Sequence, residues 1–247
     1  MKIEKSETLR RNIRRDEGTA LTVSTWDGVR AAIREGRIDD ALAGIDYGCS
    51  EAKMMHDSMC SLADDALTRL AAVGGDDEVY KLIRARYEPF IKEWLSKTTT
   101  LKETIERSVE FQRGHFGKTE IREEADRFVV TCDPCGSGGQ LRRTKKVGKA
   151  QVAHDWTWGK PDVPYYCTHC TVMWEILPTE MQGHPIRVNL PPEKDTDPCV
   201  HLYYKNPADI PDEYFSRIAR PRKTGPLPPG VAPLTFVPPS GTKSGTS

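Results

Sequence analysis

Two Cys-x-x-Cys pairs, Cys132-Asp-Pro-Cys135-Gly and Tyr-Cys167-Thr-His-Cys170, stand 31 residues apart and constrain this chain more than any other feature. A Cys-x-x-Cys turn lets two sulfurs reach one ion, and two such turns supply the four thiolates that tetrahedral zinc prefers. Gly136 follows the first pair, where a tight knuckle often needs a backbone angle that other residues resist. The spacing predicts zinc on Cys132, Cys135, Cys167 and Cys170, with two hairpins joined as a zinc ribbon. Iron is the other metal that four thiolates hold. Cys199-x-His201 adds two donors on one side of a predicted strand. If Cys199 replaces a knuckle cysteine, the site can be open, and a catalytic zinc needs an open position. His169 lies inside the second knuckle, and His154 and His184 fall in loops. Two other readings compete with metal. The thiols can be unrelated buried residues, or one pair can be a redox dithiol. A redox pair normally opens a helix after a strand, and Gly136-Ser-Gly-Gly139 argues against a helix there.

Composition narrows the partners. The 247 residues carry 36 Lys plus Arg and 36 Asp plus Glu, so the formal charge is zero. A nucleic-acid binder usually shows a basic excess or face, which makes nucleic acid an unlikely partner; the basic clusters Arg10–Arg15 and Arg142–Lys149 are offset elsewhere. No segment approaches the roughly 18–20 apolar residues of a membrane helix, and the first residues lack the apolar core of a secretory signal. Seven cysteines without a signal favour reduced thiols, and with them a cytoplasmic location. The sequence leaves the oligomeric state open.

The expected fold class is α+β: a helical N-terminal part followed by a small zinc-binding β part. The boundaries fall at 1–120, 121–220 and a Pro/Gly/Ser-rich flexible tail at 221–247. Ser24 caps a helix over Thr25–Glu35, stopped by Gly36. A second helix runs from about Asp39 to Val73, and a third follows Asp76, with Pro89 expected to kink or split it. Thr100-x-x-Glu103 opens a fourth as a capping box. Arg127–Cys132 reads as a strand, Gly136–Gly139 as a turn and Leu141–Thr144 as a second strand. Residues 145–164 read as a long loop. Ile186–Leu190 and Val200–Tyr204 read as strands, and Pro211 opens a short helix.

Proton carriers are sought beside the metal. Cys49, Lys53, His56 and Cys60 share one face of the second helix, with Glu51 and Asp57 one step round. A His beside carboxylates can act as a general base. The plainer reading places Cys49 and Cys60 with Met54, Met55 and Met59 in a core stripe, His56 at its edge. His115, between glycines, is a second candidate. Glu175 and Glu180 follow the second knuckle closely enough to serve a metal-bound water, although solvated carboxylates are commoner. Aromatic residues concentrate after Trp156, where they form either a ligand pocket or the core of a small β domain.

Three stretches together resemble the L-2-amino-thiazoline-4-carboxylate hydrolase-like family: Phe128-Val-Val-Thr-Cys132-Asp-Pro, Tyr166-Cys167-Thr-His-Cys170, and Gly183 with Pro198-Cys199-Val-His201. The resemblance spans about residues 76–204. It departs at Cys170, where the family has Asp, at Cys135, and in the extra loop at 145–164. It implies that Cys132, Cys167 and Cys199 line a site.

Two functions follow. One is a metal-dependent enzyme of hydrolase or lyase type acting on a small molecule, with zinc polarising the substrate and lowering the pKa of bound water, and His56, Asp57 or Glu175 moving protons. The other is a non-catalytic zinc-ribbon module binding a protein or nucleic-acid partner. A thiol redox protein is a third option. An enzyme requires the metal to face a cleft that also holds a His or carboxylate from the helical part; a module requires a closed ion far from any pocket.

Overall fold

The computed structural model describes residues 1–98 and 100–223. The expected tail lies largely outside them, in residues 224–247. The fold is mixed α+β, and contacts divide the chain into Met1–Met59 and Cys60–Ser247. The composition change near residue 121 is not a packing boundary, because helices before it pack in the same unit as the sheet after it.

The first unit opens with strands β1 (Ile3–Ser6) and β2 (Arg11–Arg14), an antiparallel hairpin absent from the sequence reading. Helix α1 (Thr25–Arg34) begins where Ser24 accepts from the Asp27 amide, and Gly36, at φ 71°, ends the turn. Its Val29 and Ala32 pack on Ala41 of helix α2 (Ile38–Gly74). Cys49, Met54, Met55 and Met59 on α2 are exposed, so of the expected core stripe only Cys60 is buried, packed with Leu141 and Val147.

In the second unit α3 (Asp76–Lys97) continues through Pro89 without splitting. Pro89 and Ala85, whose carbonyl it deprives of a helical donor, are both exposed. The Thr100 capping box opens α4 (Leu101–Gly114) as expected. Strands β3 (Thr119–Glu123), β4 (Arg127–Cys132), β7 (Val188–Leu190) and β8 (Cys199–Tyr204) form an antiparallel sheet in the order β3-β4-β8-β7. Both faces of its central strands are covered. Val130, Cys132 and Tyr203 pack with Leu101, Ile105 and Val109 of α4. Val129, Leu202 and Tyr204 pack with Ile210 and with Phe215 of α8 (Asp212–Ser216). Pro211 is the residue before α8 rather than its first position.

Between β4 and β7 the sequence reading fails in two places. Leu141–Thr144 is not a strand but part of helix α5 (Gly138–Thr144). The loop at 145–164 contains the paired strands β5 (Lys149–Ala150) and β6 (Val163–Pro164). A 3-10 turn (Tyr165–Cys167), α6 (Thr168–Thr171), a π-helical turn (Val172–Ile176) and α7 (Leu177–Gln182) follow. The whole π turn is buried, and its Val172, Met173, Trp174 and Ile176 join Trp94, Trp156 and Trp158 in the largest core.

Candidate functional site

Strand alternation sets the first donors. In the β4–β8 register Cys132 pairs Cys199 and Val130 pairs His201. Side chains two apart share a face, so Cys132, Cys199 and His201 all point to the α4 side of the sheet. His201 Nδ1 lies 3.8 Å from Cys132 Sγ. Cys135 leaves the strand end across Asp133–Pro134, which are joined by a cis peptide. Its sulfur is 3.6 Å from Ser137 Oγ, just before α5. A helix therefore follows the first pair directly, and the sequence argument against a redox dithiol loses its basis. Two glycines bring α5 close: a Cβ on Gly138 would sit 2.7 Å from Cys167 Sγ, and one on Gly139 3.1 Å from Cys135 Cβ.

The second pair sits on the 3-10 turn and α6, not on a hairpin. Its sulfurs face the first pair. Cys135, Cys167, Cys170 and Cys199, with His169 and His201, line one small cavity of about 40 Å³. Trp158, in a left-handed conformation at φ 55°, closes another side. Cys199 rather than Cys132 is the fourth cysteine lining this cavity; Cys132 is fully buried against His201. Of the residues implied by the family resemblance, Cys167 and Cys199 line the cavity and Cys132 adjoins it. The donors surround the space rather than meet in it: among the described residues no three of them come within 4.8 Å of one another.

Two buried guanidinium groups face the sulfurs. Arg187 donates to Asn189 Oδ1 at 2.8 Å, Tyr203 Oη at 3.2 Å and Cys170 Sγ at 3.9 Å. Among the described residues no carboxylate lies within ion-pair reach of it. Arg142 reaches Cys199 Sγ at 3.7 Å and the Lys194 and Asp195 carbonyls at 3.2 Å. A buried cation needs a compensating charge; Arg142 has the Asp195 carboxylate at 4.0 Å, whereas for Arg187 the groups at hand are thiols. His169 gives Nδ1 to the Tyr166 carbonyl at 2.5 Å. A carbonyl only accepts, so Nδ1 carries a proton, and Nε2 faces Cys170 Sγ at 3.6 Å; burial opposes the ring's charge, but the Cys170 sulfur outweighs it and raises the ring to about 10.

The thiols differ in acidity. Burial pushes Cys132 and Cys167 up to about 12. A hydrogen bond shared by Cys135 and Cys199 lowers the first far below an ordinary thiol and raises the second. Burial alone would raise Cys170, but the charges of His169 and Arg187 outweigh it and bring it down. Burial and the Arg187 charge hold His201 neutral.

A second cavity of about 200 Å³ adjoins the first, sharing Cys135, His169 and Cys170 with it. Arg86, Arg187 and His115 add polar groups, and Tyr87, Phe90, Phe111 and Trp174 form its aromatic wall. Gln112 also lines it, and its buried Oε1 has no donor among the described residues. His115, at the end of α4, brings a ring nitrogen within 4.8 Å of the Cys60 sulfur.

The proposed proton carriers are elsewhere. Glu175 is fully buried with both oxygens engaged: Oε1 accepts from Trp158 Nε1 and from two Asn189 nitrogens, and Oε2 from Arg217 at 2.7 Å. Glu180 bridges Arg84 and Arg220. In the first unit Asp57 takes Lys53 at 2.5 Å and His56 Nδ1 at 3.0 Å. His154 is held by Asp76 at 2.8 Å, and His184 is bonded to Gln182 and to the Pro185 carbonyl. The sequence reading missed Arg187, Arg142 and Gln112; short-range spacing carries no signal for any of them. Comparison with protein-family models, curated proteins and solved structures found no match.

Proposed function

We propose that the second unit is a metal-dependent enzyme, of hydrolase or lyase type, that acts on a small molecule beside a zinc ion held by its cysteines. The carrying observation is the cavity of about 40 Å³ lined by four cysteines and two histidines. Thiolate with imidazole is the donor set zinc favours, and an ion there would draw the surrounding sulfurs inward. Arg187 and Arg142 supply the positive charge that a buried tetrathiolate zinc centre, formally dianionic, would need. The adjoining cavity of about 200 Å³ supports an enzyme over a purely structural ion, because it joins Cys135 and Cys170 to His115 from the helical part. A metal there would polarise a substrate group and acidify bound water. His115 and His169 are then the proton carriers within reach, in place of Glu175, whose oxygens are occupied.

Metal analysis of the purified chain tests this. One zinc per chain is expected. Cys167→Ser and Cys199→Ser should lower that content at least tenfold, and His115→Gln should leave it intact. A folded, metal-free chain would sink the proposal; equal metal loss in Cys132→Ser alone would move the ion to a different ligand set.

A further inference from the structure

The cavity of about 200 Å³ beside the cysteines has a charge and a shape of its own. Two guanidinium groups, Arg86 and Arg187, and two imidazoles, His115 and His169, line it, and among the described residues no carboxylate does. A cleft lined by groups of one sign draws ligands of the other. Arg187 is held by its bonds to Asn189 and Tyr203 and lies 4.6 Å from the centre of the Trp174 ring. In the proposed zinc centre its charge is set against the thiolates. Arg86 is left over. It lies 5.5 Å from the centre of the Tyr87 ring, and Glu88, the carboxylate nearest to it in sequence, is taken by Arg84 and Lys92. The buried Gln112 offers an Oε1 that no donor reaches among the described residues, and a buried acceptor rarely stays unmet. Phe90 meets Tyr87, Phe111 and Trp174 edge-on, which braces the aromatic wall.

We infer that this cavity binds a small aromatic carboxylate bearing one O–H or N–H donor and, granted the enzyme proposed above, that such an acid is its substrate class. Each part of the ligand answers one feature of the lining. The ring answers the aromatic wall, where offset and edge contacts are favourable. The carboxylate answers Arg86, whose planar fork matches its two oxygens. The donor answers Gln112 Oε1. Size selects a single ring: about 200 Å³ falls below the roughly 300–1,000 Å³ of sites for drug-sized ligands. Charge selects a carboxylate over a phosphate, because one unengaged guanidinium balances one negative charge and a phosphate monoester carries closer to two. Cys135 and Cys170, which line both cavities, would put the bound ring beside the proposed ion.

Calorimetric titration of the full chain, at measured zinc content, with benzoate and its meta- and para-hydroxy derivatives tests the assignment. Saturable one-to-one binding of a hydroxybenzoate is expected. Cyclohexanecarboxylate keeps the charge without the ring face, and hydroxybenzamide keeps the ring without the charge; each should bind at least about tenfold more weakly. Arg86→Gln, at an exposed residue, should weaken the hydroxybenzoate about tenfold with an unchanged far-UV circular dichroism spectrum. Gln112→Met, close in size, should remove the preference for hydroxybenzoate over benzoate. A zinc-loaded chain that binds none of these acids at millimolar concentration overturns the inference and leaves the zinc reading standing. Phenyl phosphate or hydroxybenzamide binding as tightly as the hydroxybenzoate overturns it too, as does an Arg86→Gln chain that binds like the wild type. A zinc-free chain that still binds the acids with this selectivity upholds the ligand class and sinks the zinc reading instead.

Discussion

At the scale of single residues, burial separates structural carboxylates from chemical ones. Glu175 follows the second knuckle closely in sequence, yet its oxygens tie the π-helical turn to Trp158, Asn189 and Arg217. Trp158 needs that anchor, because it holds a left-handed backbone angle that non-glycine residues seldom adopt. Removing the carboxylate strands a buried Asn amide, an indole N–H and a guanidinium. Glu175→Ala should therefore cost about 3–5 kcal/mol, read as a fall in the denaturation midpoint at unchanged m-value. Wild-type stability with lost activity would instead restore Glu175 as a proton carrier.

Among elements, α3, α7 and the segment after α8 are joined by one carboxylate. Glu180 accepts from Arg84 at 2.6 Å and from Arg220 at 2.7 Å, and Arg220 also holds Asp155. Burial pushes the Glu180 carboxyl up, but the two guanidinium groups outweigh burial and leave it below the ordinary value. A folded-state pKa below the unfolded one means stability that is complete above the ordinary carboxylate range. It is lost as pH falls through the folded value. Glu180→Gln should flatten this acid limb of the stability curve and cost about 1–2 kcal/mol at neutral pH, given partial exposure of all three groups. An acid limb identical in wild type and variant would show that the network adds nothing. The charges that form this link are far apart in sequence, so no local pattern announces it. What local pattern does announce is the Thr100 capping box and the strand Arg127–Cys132, both found at the expected residues. Glycine misled: Gly138 and Gly139 read as a turn, whereas they open α5 because a side chain at 138 would strike Cys167. Strands β1 and β3 were missed because their charged residues leave little apolar alternation.

For the molecule as a whole, the spacing of cysteines was legible but their grouping was not. Two knuckles predict a closed set of four, while the β4–β8 register turns Cys199 toward the same side and the small cavity takes it in place of Cys132. Register is a property of the assembled sheet, so only a folded chain reveals which sulfur is left over. With the proposed ion in that cavity, stability and metal would be inseparable in the second unit. The cavity is lined by β8, the turn before α5, the Tyr165–Cys167 turn and α6, elements otherwise joined by few backbone bonds. An ion bound a thousandfold above its dissociation constant adds about 4 kcal/mol to the folded state. For a unit of this size that is about 10 °C in melting temperature. A strong zinc chelator should lower the thermal midpoint by about that amount, and stoichiometric zinc should restore it. Cys132→Ser should keep the metal-dependent part of the shift while Cys199→Ser loses it. A midpoint indifferent to chelator would mean that the thiols hold this fold together by packing alone.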